Sequence, residues 1–132
     1  MVEVNELRIG NWLDGINGRF QVLTIYPYKI AYKIANALGE FSYYLKEDCE
    51  PILITKDIIE LCGFNQTKWE DDVYENETGD SIEFIKATED KPAYINFFTA
   101  QNYDHSVKVY SVHQLQNIFF AINNKELEVA FG

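Results

Sequence analysis

Cysteine is scarce in this chain: only Cys49 and Cys62 occur among 132 residues. Their spacing fits neither the close cysteine pairs of a zinc site nor the dense framework of a small disulfide-stapled domain. A chain of this length can bury a sizeable core without covalent staples. We therefore expect one domain or two small modules, with two free, buried thiols that act as small hydrophobic side chains.

Long hydrophobic runs are absent as well. The longest are short segments such as residues 118–122, far below the roughly 20 apolar residues that span a bilayer. Residues 1–6 contain no basic stretch followed by an apolar run, which is the pattern of a secretory signal. The sequence thus predicts a cytoplasmic location and no membrane partner.

Positive charge is also in short supply. Eleven Lys and Arg residues against 21 Asp and Glu residues give a net charge of −10. Between Glu70 and Asp90, nine acidic residues accompany a single basic one, Lys86. Because nucleic-acid binding depends on Lys and Arg that neutralise phosphates, direct binding to DNA or RNA is not expected. The predicted partner is another protein.

Six acidic residues in this segment are predicted to form a solvated acidic surface. They are Glu70, Asp71, Asp72, Glu75, Glu77 and Asp80. A helix-loop-helix calcium site needs oxygen ligands at alternate positions, but Tyr74 falls on one of those positions. Runs of charge are usually solvated faces. No metal and no cofactor are therefore predicted.

Motifs for catalysis are missing too. Gly15 and Gly18 precede a predicted strand rather than a helix, so they do not form a phosphate loop. The only histidines, His105 and His113, lie in no metal-ligand spacing. His113 falls in the first turn of the last predicted helix, where a positive charge is unfavourable, so we expect it to be neutral and structural. No catalytic residue is predicted.

The sequence does contain many short apolar segments separated by turn signals, which predict an α+β fold. Residues 1–54 are predicted to form a small SH3-like β-barrel, because closure removes exposed strand edges. An open meander is the alternative. The predicted strands are residues 9–13, 20–25, 28–34, 41–45 and 51–54, with a turn at Tyr26 and Pro27. Tyr26, Tyr28 and Tyr44 are the aromatic residues expected outside the barrel, and they are the candidate binding residues.

Residues 55–132 are predicted to form a second α+β module. A short helix over residues 56–62 has Thr55 as its N-cap and Gly63 as its stop. Antiparallel strands over residues 73–74, 81–87, 93–99 and 107–110 follow. A helix over residues 111–123 carries an apolar stripe that should cover the sheet, formed by Val112, Leu115, Phe119 and Ile122. Residues 126–131 alternate as a last strand.

Two segments resemble a known family. They read ELRIGNW at residues 6–12 and YSVHQLQNIFFA at residues 110–121. Both resemble segments of an uncharacterised family of short proteins from gut-type bacterial genomes and their prophages. The resemblance implies a small cytoplasmic protein associated with mobile elements, and it implies no activity.

Three functional hypotheses follow from the sequence. The first is a non-catalytic protein-binding accessory factor that uses the exposed aromatic residues. The second is an acidic nucleic-acid mimic that occupies the basic groove of a DNA-handling protein with residues 70–90. The third is a small enzyme with a pocket that joins His105 or His113 to carboxylates of the acidic segment. No pattern in the sequence selects an oligomeric state.

Overall fold

A computed structural model describes residues 2–16, 18–28, 31–35, 42–44, 48–100 and 102–131. The chain divides into two compact units. The first contains Met1–Ile52 with Val112–Asn117, and the second contains Leu53–Ser111 with Ile118–Gly132. Antiparallel sheets and helices confirm the predicted α+β class. The predicted division into modules after residue 54 stays a prediction.

The first unit contains a short 3₁₀ helix, Val4–Glu6, and six short strands. The strands are β1 (Trp12–Gly15), β2 (Gly18–Gln21), β3 (Thr24–Tyr28), β4 (Ala31–Ala35), β5 (Ser42–Tyr44) and β6 (Cys49–Glu50). They form two three-stranded antiparallel sheets, ordered β2-β1-β6 and β3-β4-β5. Across the described residues no ladder joins these two sheets, so the closed barrel stays a prediction.

Two strand predictions in this unit were wrong. The predicted turn at Tyr26 and Pro27 lies inside β3, where Pro27 is opposite Tyr32. Proline is tolerated there because β3 is an edge strand of its sheet. The predicted strand over residues 51–54 is replaced by the earlier β6, and Leu53 forms only an isolated bridge with Ser111.

Six buried side chains of the first unit form a hydrophobic cluster. Its members are Val2, Leu7, Leu13, Phe20, Val22 and Cys49. Both cysteines are free and buried, as predicted. Burial raises the pKa of each thiol to about 12, so both stay protonated at neutral pH.

The second unit is built on a five-stranded antiparallel meander. Its elements are α1 (Lys56–Leu61), β7 (Asn65–Gln66), β8 (Val73–Glu75), β9 (Ser81–Ile85), β10 (Tyr94–Thr99), β11 (Asn102–Val109) and the second half of α2 (Val112–Asn123), whose residues 112–117 belong to the first unit. The strand order is β11-β10-β9-β8-β7, so each strand pairs with its neighbour in sequence. The ring of Phe97 packs edge-to-face on Phe64 and on Phe119, at centroid distances of 6.5 and 6.4 Å. The predicted antiparallel sheet is confirmed.

Helix α1 follows the predicted signals closely. The Thr55 hydroxyl accepts a hydrogen bond from the Ile58 N–H at 3.3 Å. At the other end Gly63 has φ +89°, and the Phe64 N–H donates to the Ile59 carbonyl at 3.3 Å. This 6→1 bond across a left-handed glycine is a Schellman stop. The helix ends at Leu61, one residue before the predicted end.

The predicted last strand was wrong. Residues 126–131 have no strand partner in the part of the chain that the structure describes. The Ala130 N–H donates to the Leu61 carbonyl at 2.9 Å, and Leu127 is buried between exposed Glu126 and Glu128. The alternating pattern therefore reflects the burial of Leu127 between exposed neighbours, without the ladder that a strand requires.

Candidate functional site

The three tyrosines predicted to bind a partner lie in the first unit. Tyr26 and Tyr28 are in β3 and Tyr44 is in β5. The ladders place Tyr26 opposite Lys33, and Lys33 opposite Tyr44, so these three residues occupy one cross-strand row. The side chains of all three tyrosines lie outside the described part of the chain. Their binding role stays a prediction.

The six predicted acidic residues lie before, within and after β8. Glu70, Asp71 and Asp72 come before this strand, Glu75 is its last residue, and Glu77 and Asp80 come after it. Three residues of extended strand separate these groups by about 10 Å along the strand axis. The antiparallel order returns the β9–β10 connection, residues 86–93, to the end that holds Glu70.

Lysines accompany the acidic residues at this first end of the sheet. Lys68 lies in the β7–β8 loop, and Lys86 and Lys91 lie in the β9–β10 connection. The Lys56 ammonium lies 2.7 Å from the Asp72 carboxylate, and this hydrogen bond holds the pKa of Asp72 below its usual value. The strong acidic run in the sequence thus becomes a surface of mixed charge, because strands bring lysines from other segments beside it.

Asp80 is a correction to the predicted acidic surface, because only 2% of it is exposed. Its Oδ1 accepts from the Ala100 N–H at 2.9 Å, and its Oδ2 accepts from the Asn123 amide at 3.2 Å. Its own N–H donates to Asn76 Oδ1 at 2.9 Å. A carboxylate can be buried when hydrogen bonds replace its water, and the sequence around Asp80 does not show that these donors are near.

Trp69 is a surface residue that the sequence reasoning missed. Its side chain is 70% exposed, at the tip of the β7–β8 hairpin. Within the described residues its indole makes no hydrogen bond and no ring contact. The available signal was a tryptophan between Lys68 and Glu70, outside any alternating apolar pattern. Tryptophan is one of the residue types enriched among the anchors of protein interfaces.

The loop that carries Trp69 is held by hydrogen bonds at both ends. The Thr67 N–H donates to the Val73 carbonyl at 2.8 Å, and the Thr67 hydroxyl bonds the Glu70 backbone at 3.1 and 3.3 Å. At the other end, the Phe84 N–H donates to the Asp72 carbonyl at 2.8 Å. These bonds fix the backbone on each side of Trp69, so its ring is presented outward by an ordered loop.

Apart from the hydrogen bonds around Asp80, a polar cluster lies in the first unit. It forms where residues 6–12 meet residues 116 and 117, which belong to the two segments that resemble a known family. Asn117 Oδ1 accepts from Arg8 Nη1 and from Asn11 Nδ2, both at 2.9 Å, and Asn117 Nδ2 donates to the Glu6 carbonyl at 2.7 Å. Gln116 Oε1 accepts from the Trp12 N–H at 2.9 Å. Among the described residues, no buried side-chain polar atom lacks a partner.

His113 belongs to the same cluster. Its ring is 1% exposed, and its Nε2 lies 3.2 Å from Glu6 Oε1. Burial lowers the pKa of His113, more strongly than Glu6 raises it, so the ring is neutral at pH 7. This agrees with the predicted structural role. The carboxylate that it meets is Glu6, which is not part of the acidic segment.

A metal site, a histidine-lined pocket or a membrane-spanning helix among the described residues would indicate another kind of function. No group of three or more His, Cys, Asp or Glu side chains is placed to hold a metal there. Two surface cavities of the second unit are lined by neither histidine, and His105 is exposed. None of the described helices has the length and apolar character needed to cross a membrane.

Comparisons with family models, with curated proteins and with solved structures found no match to this chain. The resemblance carried by residues 6–12 and 110–121 therefore stays a prediction. The hydrogen bonds between these two segments give a physical reason for their sequence that involves no reaction.

Proposed function

We propose that this chain is a non-catalytic protein-binding accessory factor whose main anchor is Trp69. The observation that carries this proposal is the 70% exposure of a tryptophan on a hydrogen-bonded hairpin loop. Tryptophan is enriched among the few residues that supply most of the binding free energy of protein interfaces. Its ring offers a large contact area at a small cost in conformational entropy.

The charges around Trp69 bear on the kind of partner. Lys68 and Glu70 flank the ring, and Lys86 and Lys91 lie in the neighbouring connection. An apolar anchor inside a rim of both charge signs fits a protein surface with a hydrophobic pocket and a polar rim. A nucleic-acid mimic instead needs a surface of one sign, so the mixed charge favours the accessory factor over the mimic.

The SH3-like barrel is proposed as the fold of the first unit. Only Val22 and Leu23 separate β2 from β3, and the last strand, β6, pairs with the first, β1. If β2 and β3 are two halves of one bent strand, the order becomes β6-β1-β2/β3-β4-β5. That order closes when β5 lies beside β6. The proposed setting is the bacterial cytoplasm, with the mobile-element origin that the family resemblance implies.

The proposal is tested by affinity capture from a nuclease-treated bacterial lysate with wild-type protein and Trp69→Ala as baits. Partners are identified by mass spectrometry, and their affinities are measured with purified protein. Removing an anchoring tryptophan costs about 2–4 kcal/mol, so binding should weaken roughly 30-fold to 1,000-fold. Ile16→Ala is the matched control, since Ile16 is 75% exposed in the first unit and should leave binding unchanged.

The same assay separates the alternatives. The nucleic-acid mimic would be supported by a partner that still binds the Trp69→Ala variant. Binding of that partner should be lost at high salt and in the double variant Glu70→Gln with Asp71→Asn. A partner that both Trp69→Ala and Ile16→Ala retain at every salt concentration would rule out Trp69 as the anchor.

A further inference from the structure

Asp80 is a buried carboxylate that faces a cavity in the second unit. The cavity has a volume of about 180 Å³ and is lined by Thr78, Asp80, Thr99, Ala100, Ile122 and Asn123. All six residues belong to the second unit. Since a water molecule takes about 30 Å³, the space suits an organic molecule of several heavy atoms.

No cationic side chain of the described residues balances this carboxylate. Within the described residues, no Lys, Arg or His nitrogen lies within ion-pair distance of Asp80, which is 2% exposed. Its contacts are neutral donors from Ala100, Asn123, Asn76 and Thr78. A buried carboxylate normally has a cationic partner, so the site favours a positively charged group.

Helix α2 adds negative potential at the same place. The helix ends at Asn123, and its C-cap Asn124 has φ +52°. The Asn123 amide donates to Asp80 Oδ2 at 3.2 Å, which puts the last turn of the helix against the carboxylate. A helix C-terminus carries a partial negative charge that attracts cations. This contribution is independent of Asp80.

The carboxylate retains capacity for a further donor. Two carboxylate oxygens offer about four acceptor positions. Oδ1 accepts one hydrogen bond, from the Ala100 N–H at 2.9 Å. The contacts of Oδ2 with Asn76 and Thr78 are long, at 3.4 Å each, and the Thr78 hydroxyl also lies 3.0 Å from Asn76 Oδ1. A charged donor would form a shorter and stronger bond than these.

We propose that this cavity binds a small primary amine, with the ammonium group on Asp80 and the alkyl part against Ile122. Thr78 and Thr99 also line the cavity. A divalent cation fits less well, because calcium takes six to eight oxygen ligands and the lining supplies a single carboxylate. The inference is independent of the proposed function of Trp69.

The test is a titration followed by ¹⁵N NMR, with n-propylammonium chloride as the probe and 1-propanol as its uncharged isostere. Sodium chloride keeps the ionic strength constant. The amide of Ala100 and the side-chain amide of Asn123 should shift saturably with propylammonium, with half-saturation at about 1–10 mM. The alcohol should leave both signals in place.

Variants assign the binding to Asp80. Asp80→Asn should weaken propylammonium binding at least ~10-fold, as expected for the loss of a charged hydrogen-bond partner. Glu77→Gln is the matched control, since Glu77 is an exposed carboxylate of the same turn and should bind as wild type does. Ile122→Phe is a second test, which is needed if Asp80→Asn does not fold. Ile122 is 43% exposed and makes no hydrogen bond to Asp80, so the larger phenyl ring should narrow the cavity and abolish binding.

Four results would overturn the proposal. They are no saturable shift up to about 100 mM propylammonium, equal binding of propanol, wild-type binding by Ile122→Phe, and an equal loss of binding in Glu77→Gln.

Discussion

Asn117 joins helix α2 to residues 6–11 of the first unit through one amide group. It accepts from Arg8 and Asn11 and donates to the Glu6 carbonyl, at 2.7–2.9 Å. A side chain that lacks either the oxygen or the NH₂ group leaves partly buried partners without hydrogen bonds, which costs more than the net value of the bonds themselves. At this position the identity of the residue is determined by hydrogen bonding rather than by volume.

His113 makes folding stability depend on pH. Burial holds its pKa below the ordinary value of 6.5. Just below pH 6.5 the unfolded chain therefore takes up a proton that the folded chain does not. The stability contributed by neutral His113 is fully present above pH 6.5 and is lost as the pH falls through that value toward the folded-state pKa.

The measurement is the free energy of unfolding in urea at pH 7.5, 6.5 and 5.5 for wild type and His113→Gln. The variant should be less stable at pH 7.5 but should lose less stability on acidification. His105→Gln replaces the exposed histidine and should follow the wild-type pH dependence. Parallel curves for wild type and His113→Gln would contradict the assignment.

At the scale of elements, the stop of α1 depends on Gly63. This residue has φ +89°, and a Cβ built on it meets no heavy atom within 4 Å. The cost of a side chain is therefore only the left-handed backbone conformation, about 1–2 kcal/mol for alanine. Gly63→Ala should lower the free energy of unfolding by that amount in urea denaturation, with an unchanged m-value.

Gly63→Asn is the control for this mechanism, because asparagine tolerates the left-handed conformation better than alanine. It should lose less stability than Gly63→Ala. An equal loss in both variants would show that contacts of the added side chain, rather than the backbone conformation, set the cost.

The apolar stripe of helix α2 is buried over most of the helix but not at its C-terminal end. Val112, Leu115 and Phe119 of the predicted stripe are buried, whereas Ile122 is 43% exposed. Ile122 instead lines the cavity beside Asp80. The last member of a periodic pattern therefore need not share the burial of the others, because burial depends on what the helix end packs against.

At the scale of the whole molecule, the net charge of −10 opposes the compact state. Raising the salt concentration from about 10 mM to 150 mM shortens the Debye length from about 30 Å to 8 Å and so screens this repulsion. We expect the Tm to rise with salt over this range. Sodium and potassium chloride should have the same effect in calorimetry, and a falling Tm would show that ion pairs such as Lys56–Asp72 outweigh the repulsion.

The sequence by itself determined the features that depend on a few neighbouring residues. The N-cap at Thr55, the stop at Gly63, the extent of α2 to within one residue and the α+β class agree with the predictions. Capping needs only side chains within one turn of the helix end, so its signal is local. The neutral state of His113 agrees with the prediction from its place in a first helical turn, but its cause is burial, which that position does not reveal.

Only the tertiary structure decided which surfaces carry charge and which groups meet. It showed that Asp80 is buried, that lysines accompany the acidic run, that Trp69 is exposed and that residues 126–131 have no strand partner among the described residues. The donors to Asp80 come from Ala100 and Asn123, and the partners of Asn117 come from residues 6–11. Burial and pairing are set by segments far apart in the chain, and no pattern within a single segment contains that information.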